Sequence, residues 1–188
     1  RFNDRITGKI SEFAKNASIV HIDIDSASIS RKIVVDIPIV ADAGSAIEKM
    51  LEYAKPLQTK GWLEKIQNWK EEHPLGMNHR YPGLNPEKII CKINELFPDA
   101  IVTTDVGQNQ LWTTQFLSMT GKRQLLTSGG LGTMGYGLPA AIGAQLGNPD
   151  QRVIAISGDG GMQMNIQEMA TAMCQELPLI LCVLNNSW

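Results

Sequence analysis

Apolar and polar positions alternate in two rhythms along the chain, and the change of rhythm divides it. Residues 18–25 (SIVHIDID) alternate with period two and are rich in Ile, which predicts a strand after a short helix over 6–15. A second extended run covers 33–40. Residues 44–54 carry Ile47, Met50 and Leu51 at helical spacing, and Pro56 ends that segment. Residues 60–72 are amphipathic with Trp62, Ile66 and Trp69 on one face, and 73–86 are rich in Pro, Gly, Asn and His. A helix followed by a linker is expected there.

From 85 onward the pattern alternates between β and α. Asn85 is a good cap with Pro86 at the first helical position, and the helix runs to about Phe97. Strands are expected over 100–104, 124–127, 152–157 and 179–184, and helices over 109–117, 136–146 and 165–176. The last two strands are almost continuously apolar, as in a parallel sheet covered on both faces. The expected class is α/β: a doubly wound parallel sheet over 85–188, preceded by the tail of a second α/β domain over 1–55, with 56–84 as helix and linker.

Composition narrows the function. The 188 residues suffice for one ordinary domain or parts of two, and 43% hydrophobic content supports a packed core. The 17 basic and 19 acidic residues are mixed along the chain, with no basic block to track a phosphate backbone, so nucleic acid is not an expected partner. Cys91, Cys174 and Cys182 have neither disulfide-framework nor zinc spacing, and a reducing cytoplasm fits them. The longest apolar run, 177–184, falls far short of the ~20 residues a membrane helix needs. The chain opens on Arg1 without a signal-peptide pattern and closes on Trp188 directly after a strand, so a piece cut at both ends is expected.

In an open parallel sheet, ligands bind beyond the carboxyl ends of the strands. Three such places stand out: 105–109 (DVGQN), 128–132 (SGGLG) and 157–161 (SGDGG). In the third, Gly158, Gly160 and Gly161 are expected to turn tightly and approach a diphosphate, with helix N–H groups aimed at the anion. Twenty-four residues separate Gly160 from Asn185, enough for a helix running down and a strand running back. Asp159 and Asn186 are therefore predicted to meet at one sheet edge. A carboxylate and an amide carbonyl are hard oxygen donors suited to Mg²⁺, whereas zinc would want His or Cys. Either motif alone reads equally well as a tight turn; the metal reading comes from the pair at this spacing. His21 is expected to be a hydrogen-bonded core residue.

Gly-Asp-Gly followed at this distance by Asn-Asn resembles the motif of thiamine-diphosphate enzymes. That resemblance implies thiamine diphosphate and Mg²⁺, with Asp159, Asn186 and the main-chain carbonyl of Trp188 as metal ligands. Residues 1–9 (RFNDRITGK), 21–25 (HIDID), 107–112 (GQNQLW) and 128–139 (SGGLGTMGYGLP) are similar to the acetohydroxyacid (acetolactate) synthase family over nearly the whole chain. The family implies the end of a central FAD-associated domain, a connection, and the first half of the diphosphate-binding domain. By that similarity Gly132, Thr133 and Met134 lie against the aminopyrimidine, with Met134 bending the cofactor; without it, Met134 reads as a core gap-filler. Gln108 and Asn109 would contact the diphosphate, although the family usually has His where Asn109 stands. Asp23, Ile24 and Asp42 would touch FAD, where the bare pattern shows only the polar face of an edge strand. Arg5 would hold the carboxylate of a second 2-keto acid, a task suited to a bidentate guanidinium, where a lone Arg is otherwise a solvated charge.

The implied activity decarboxylates pyruvate and joins the remainder to a second pyruvate or 2-ketobutyrate, in branched-chain amino acid biosynthesis. FAD would be structural, the assembly a dimer or tetramer with a regulatory subunit as further partner, and the location cytoplasmic. The chain alone is expected to be inactive, because the family's cofactor-protonating glutamate lies in an amino-terminal domain that these residues do not include. Three other readings stay open. One is another thiamine-diphosphate decarboxylase or oxidase. The second is a nucleotide-binding oxidoreductase domain, disfavoured because no acidic residue closes the strand after Gly158-Asp159-Gly160-Gly161. The third is a non-catalytic interaction module.

Overall fold

A computed structural model describes residues 2–76 and 84–186, which places His79 and the candidate ligand Trp188 outside the described residues. The chain forms two compact units, Arg1–Ile66 and Gln67–Trp188.

In the first unit, helix α1 (Asp4–Thr7) is capped by Asn3, whose Oδ1 accepts the Ile6 N–H at 3.2 Å. The helix predicted over 6–15 does not form. Gly8, at φ 54°, ends α1 with its N–H bonded to the Asp4 carbonyl, and only a 3₁₀ turn at Ile10–Glu12 follows. Strands β1 (Val20–Asp23) and β2 (Ile37–Val40) pair in parallel, Val20 opposite Ile37 and Asp23 opposite Val40. Residues 33–36, expected as strand, instead lead into β2, and the Asp36 carboxylate accepts the Ile19 N–H at 2.7 Å. Helix α2 (Ala43–Leu51) follows, capped by Asp42, then α3 (Lys60–Glu72), within which the division between the units falls. Trp62 and Trp69 of α3 stay about half exposed.

The second unit opens with α4 (Pro86–Leu96), where Asn85 Oδ1 accepts the Lys88 N–H at 2.9 Å, as its sequence predicts. Then come β3 (Ile101–Thr104), α5 (Gln108–Phe116), β4 (Gln124–Thr127), α6 (Gly137–Gly147), β5 (Val153–Gly158), α7 (Asp159–Met164), α8 (Glu168–Cys174) and β6 (Ile180–Leu184). The sheet order is β4-β3-β5-β6 and every pair is parallel. Successive residues of β3 and β5 serve opposite faces. Val102, Ile154 and Ile156 pack with Ile90 and Ile93 of α4 and with Leu117 just beyond α5, while Ile101, Val153 and Ala155 meet Ala141 of α6. A fully buried Ile stabilises by roughly 1.5–3 kcal/mol, so the β3–β5 pair is the rigid base of the unit. The chain runs from β3 outward to β4, then crosses back to β5 on the other side, which makes the β3–β5 boundary a topological switch point. This is the doubly wound α/β pattern.

One helix departs from expectation. The single helix predicted over 165–176 is instead α7, which starts at Asp159 itself, and α8 from Glu168. Asn165 breaks the two apart, its side-chain amide donating to the Gly135 carbonyl at 2.7 Å instead of facing solvent.

Candidate functional site

Parallel pairing of β5 with β6 puts Gly158 opposite Leu184, so Asp159 and the 185–186 pair leave neighbouring strands at the same carboxyl edge. That is the juxtaposition the 24-residue spacing predicts. The site's third contributor comes from β3, paired on the other side of β5. Gln108, the first residue of α5, accepts the Asn186 side-chain N–H on Oε1 at 2.9 Å. Gln108, Trp112, Asn185 and Asn186 help line a cleft of about 640 Å³. Asp159 is half buried, and no side chain among the described residues bonds its carboxylate.

Asn109 is placed differently from Gln108. It is 3% exposed, and its amide donates to Thr104 Oγ1 at 3.2 Å, to the Asp105 carbonyl at 3.0 Å and to the Ile156 carbonyl at 3.2 Å. Its side chain braces β3 against β5 and is turned inward.

Gly158, Gly160 and Gly161 do not make the tight turn expected of them. None has a positive φ, and the backbone passes straight from β5 into α7. At Gly161 smallness serves close approach instead. A Cβ on Gly160 would stand 3.6 Å from Met134 Cε, and one on Gly161 would be 2.7 Å from Asp105 Cγ, inside any real contact.

The loop holding Gly132, Thr133 and Met134 therefore abuts α7. Ser128 folds it: the Thr133 N–H donates to Ser128 Oγ at 3.1 Å and the Gly132 N–H to the Ser128 carbonyl at 3.0 Å. Gly135, at φ 83°, has its N–H on the Asp105 carboxylate at 2.9 and 3.0 Å. Met134 is half exposed rather than buried, which removes the core-filler reading.

Sequence reasoning assigned nothing to Asp105. It is 1% exposed, and besides Gly135 it accepts the N–H of Val106 at 2.7 Å and of Gly137 at 3.3 Å. The only signal was its place just after a predicted strand, shared with many inert residues.

In the first unit, Asp23 and Asp42 leave β1 and β2 at one edge, with the Ala41 N–H on the Asp23 carbonyl at 3.1 Å. Asp42 caps α2 through the Ser45 N–H at 3.1 Å, and Asp23 accepts the Asp25 N–H at 2.9 Å. Asp23, Arg31, Lys32 and His21 help line a cleft of about 610 Å³. Ile24 is 75% exposed, and Arg5 lies exposed on α1. His21 is not the hydrogen-bonded core residue expected: it packs edge-on against Phe2 with centroids 5.3 Å apart, its Nε2 lies 3.7 Å from the Asp23 carboxylate, and its buried Nδ1 has no hydrogen-bond partner among the described residues.

A parallel α/β unit with Asp159, Asn186 and Gln108 at its switch-point edge defines a class, and comparison with known families gives the same one. Residues 105–188 match the family model described as thiamine pyrophosphate enzyme, C-terminal TPP binding domain, and residues 1–50 match thiamine pyrophosphate enzyme, central domain. The chain belongs to the thiamine pyrophosphate (thiamine diphosphate) enzymes. Within them it is similar to acetolactate synthase large subunits. It is 42% identical to that of Porphyra purpurea over 100% of this chain and 33% of the relative. It is likewise 42% identical to that of Parasynechococcus marenigrum (strain WH8102), over 100% of this chain and 31% of the relative. The isozyme 3 large subunit of Escherichia coli (strain K12) is 40% identical over 100% of this chain and 34% of its own length. The chain thus spans about a third of the length of these relatives. Among the described residues no helix is long and apolar enough to cross a membrane.

Proposed function

We propose that this chain is the part of an acetolactate synthase that holds the diphosphate of thiamine diphosphate through Mg²⁺. One observation carries the reading: Asp159 and Asn186 stand at the same edge of paired strands, with Gln108 bonded to Asn186. The donor set fits the ion. A carboxylate and an amide oxygen are hard ligands of the kind Mg²⁺ takes alongside phosphate oxygens and water.

In this reading Asp159 and Asn186 are metal ligands, together with the carbonyl of Trp188. Gln108 orients Asn186 and would contact the diphosphate, whereas the Asn109 side chain, turned inward, braces β3 against β5. Gly132, Thr133 and Met134 bear on the aminopyrimidine. The bound cofactor would supply the carbanion stabilisation that decarboxylation of pyruvate needs, and the protein's task is to bind, orient and exclude water. The second substrate is pyruvate or 2-ketobutyrate, with Arg5 holding its carboxylate. The domain assignment is 1–55 as the tail of an FAD-associated domain, 56–84 as helix and linker, and 85–188 as the cofactor domain. Asp23, Ile24 and Asp42 are its flavin contacts. The assembly is an oligomer in the cytoplasm with a regulatory partner.

Calorimetric titration tests the central claim. The wild-type chain should take up thiamine diphosphate in the presence of Mg²⁺ and at least tenfold more weakly in EDTA, and Asp159→Ala should abolish the difference. Uptake that ignores both the metal and Asp159 would sink the reading.

A further inference from the structure

Asp105 is a carboxylate removed from water, and none of the ion pairs among the described residues includes it. A charge in that position persists only if hydrogen bonds replace its hydration. Both oxygens are engaged by backbone N–H groups: Oδ1 by Val106 and Gly135, Oδ2 by Gly135 and Gly137. No cation is needed, because Gly137 opens α6 and the helix's positive end also faces the carboxylate.

The places these donors come from matter more than their number. The Gly135 N–H belongs to the peptide bond that joins Met134 to Gly135. The carbonyl of Gly135 is gripped from the other side by the Asn165 amide at 2.7 Å. Gly161, two residues beyond Asp159, lies so close that a Cβ there would be 2.9 Å from both Asp105 oxygens. One side chain therefore meets the end of β3, the Met134 loop, the start of α6 and the first turn of α7.

We infer that Asp105 is a positioning residue, whose buried carboxylate fixes Met134 relative to α7 in the arrangement that thiamine diphosphate binding requires. The inference rests on reading Asp159, Asn186 and Met134 as the cofactor site. It predicts that an uncharged copy of the same shape fails. In Asp105→Asn one oxygen becomes NH₂, and whichever way the amide turns, that NH₂ faces two backbone N–H groups instead of accepting from them.

Two measurements on the 188-residue chain decide. Without cofactor, amide hydrogen exchange in the wild type should be slow at Gly135 and Gly137, and at least tenfold faster in Asp105→Asn. Calorimetry with Mg²⁺ should show thiamine diphosphate affinity falling at least tenfold in the same variant. The control is Gln145→Leu, at the far end of α6, where the buried amide donates to the carbonyls of Asn148, Pro149 and Gln151. That variant should melt earlier yet keep cofactor affinity within twofold, which separates positioning from general stability. Equal affinity loss in the two variants at matched loss of stability, or unchanged affinity in Asp105→Asn, overturns the inference. So does a wild type whose Gly135 and Gly137 amides exchange as fast as that of exposed Leu131, a result available even if the variant does not fold. Slow exchange with no cofactor uptake by the wild type instead counts against the proposed function and leaves the carboxylate's grip on the loop intact.

Discussion

Replacing Gly161 by Ala adds one methyl group at the most crowded point of the second unit. The new Cβ would lie 2.7 Å from Asp105 Cγ and 2.9 Å from each carboxylate oxygen, against 3.4–4 Å for ordinary contact. About 0.7 Å must therefore be found. The carboxylate cannot retreat freely, since its partners sit at 2.7 to 3.3 Å and moving it weakens charge-assisted bonds, each contributing roughly 1.5–3 kcal/mol. Nor can α7 move out without drawing Asp159 with it. Overpacking of this kind costs about 1–3 kcal/mol, and with partial loss of one such bond the total is about 3 kcal/mol. At ~3–5 °C per kcal/mol for a unit of this size, melting should fall by roughly 10 °C. Gly143→Ala is the matched comparison: it lies inside α6 with nothing within 4 Å of its would-be Cβ, and should stabilise by about 0.5–1 kcal/mol through helix propensity. Urea denaturation followed by circular dichroism, at constant m, reads both. A Gly161→Ala chain within 0.5 kcal/mol of wild type would refute the close approach of α7 to Asp105 and, with it, the loop arrangement built on that contact.

Two smaller effects concern Gln108 and Cys182. Gln108→Leu removes the 2.9 Å bond to Asn186 at an exposed position, so Mg²⁺-dependent thiamine diphosphate affinity should fall about three- to tenfold while melting barely moves; unchanged affinity in calorimetry would detach Gln108 from the site. Burial pushes the Cys182 thiol up, so near pH 8 it holds less thiolate than an ordinary cysteine. Iodoacetamide labelling mapped by mass spectrometry should modify exposed Cys91 and Cys174 well before Cys182, and equal rates would contradict its burial.

Much of the sheet was legible because its signals are local and redundant. Val153 to Ile156 are apolar on both faces and bounded by polar Arg152 and Ser157, and Asn85-Pro86 marks a helix start by capping chemistry alone. The Asp159–Asn186 juxtaposition was legible because parallel pairing leaves a crossover few lengths. What failed depended on contacts distant in sequence. Gly158, Gly160 and Gly161 read as a tight turn because glycine permits one, yet α7 starts there, and the space required beside Asp105 selects glycine at 161. Asn165 ended that helix by bonding to Gly135, thirty residues earlier, which no window of local periodicity contains. The same holds for Asp105, whose partners at Gly135 and Gly137 come from a loop that composition marks only as glycine-rich. Over 6–15, apolar spacing outweighed Gly8 in the reading, and the backbone followed Gly8.

Because the ladder pairing Gly158 with Leu184 fixes where Asp159 and Asn186 emerge, the connection between β5 and β6 is decoupled from the site it serves. An extra residue inserted at 175–178, on the far side of the sheet from the cleft, would be absorbed as a slightly larger surface loop. The same insertion inside Ile180–Leu184 would shift the strand by one position and turn every later side chain to the opposite face. Length variation among descendants of this sequence should therefore collect in the first stretch and be absent from the second.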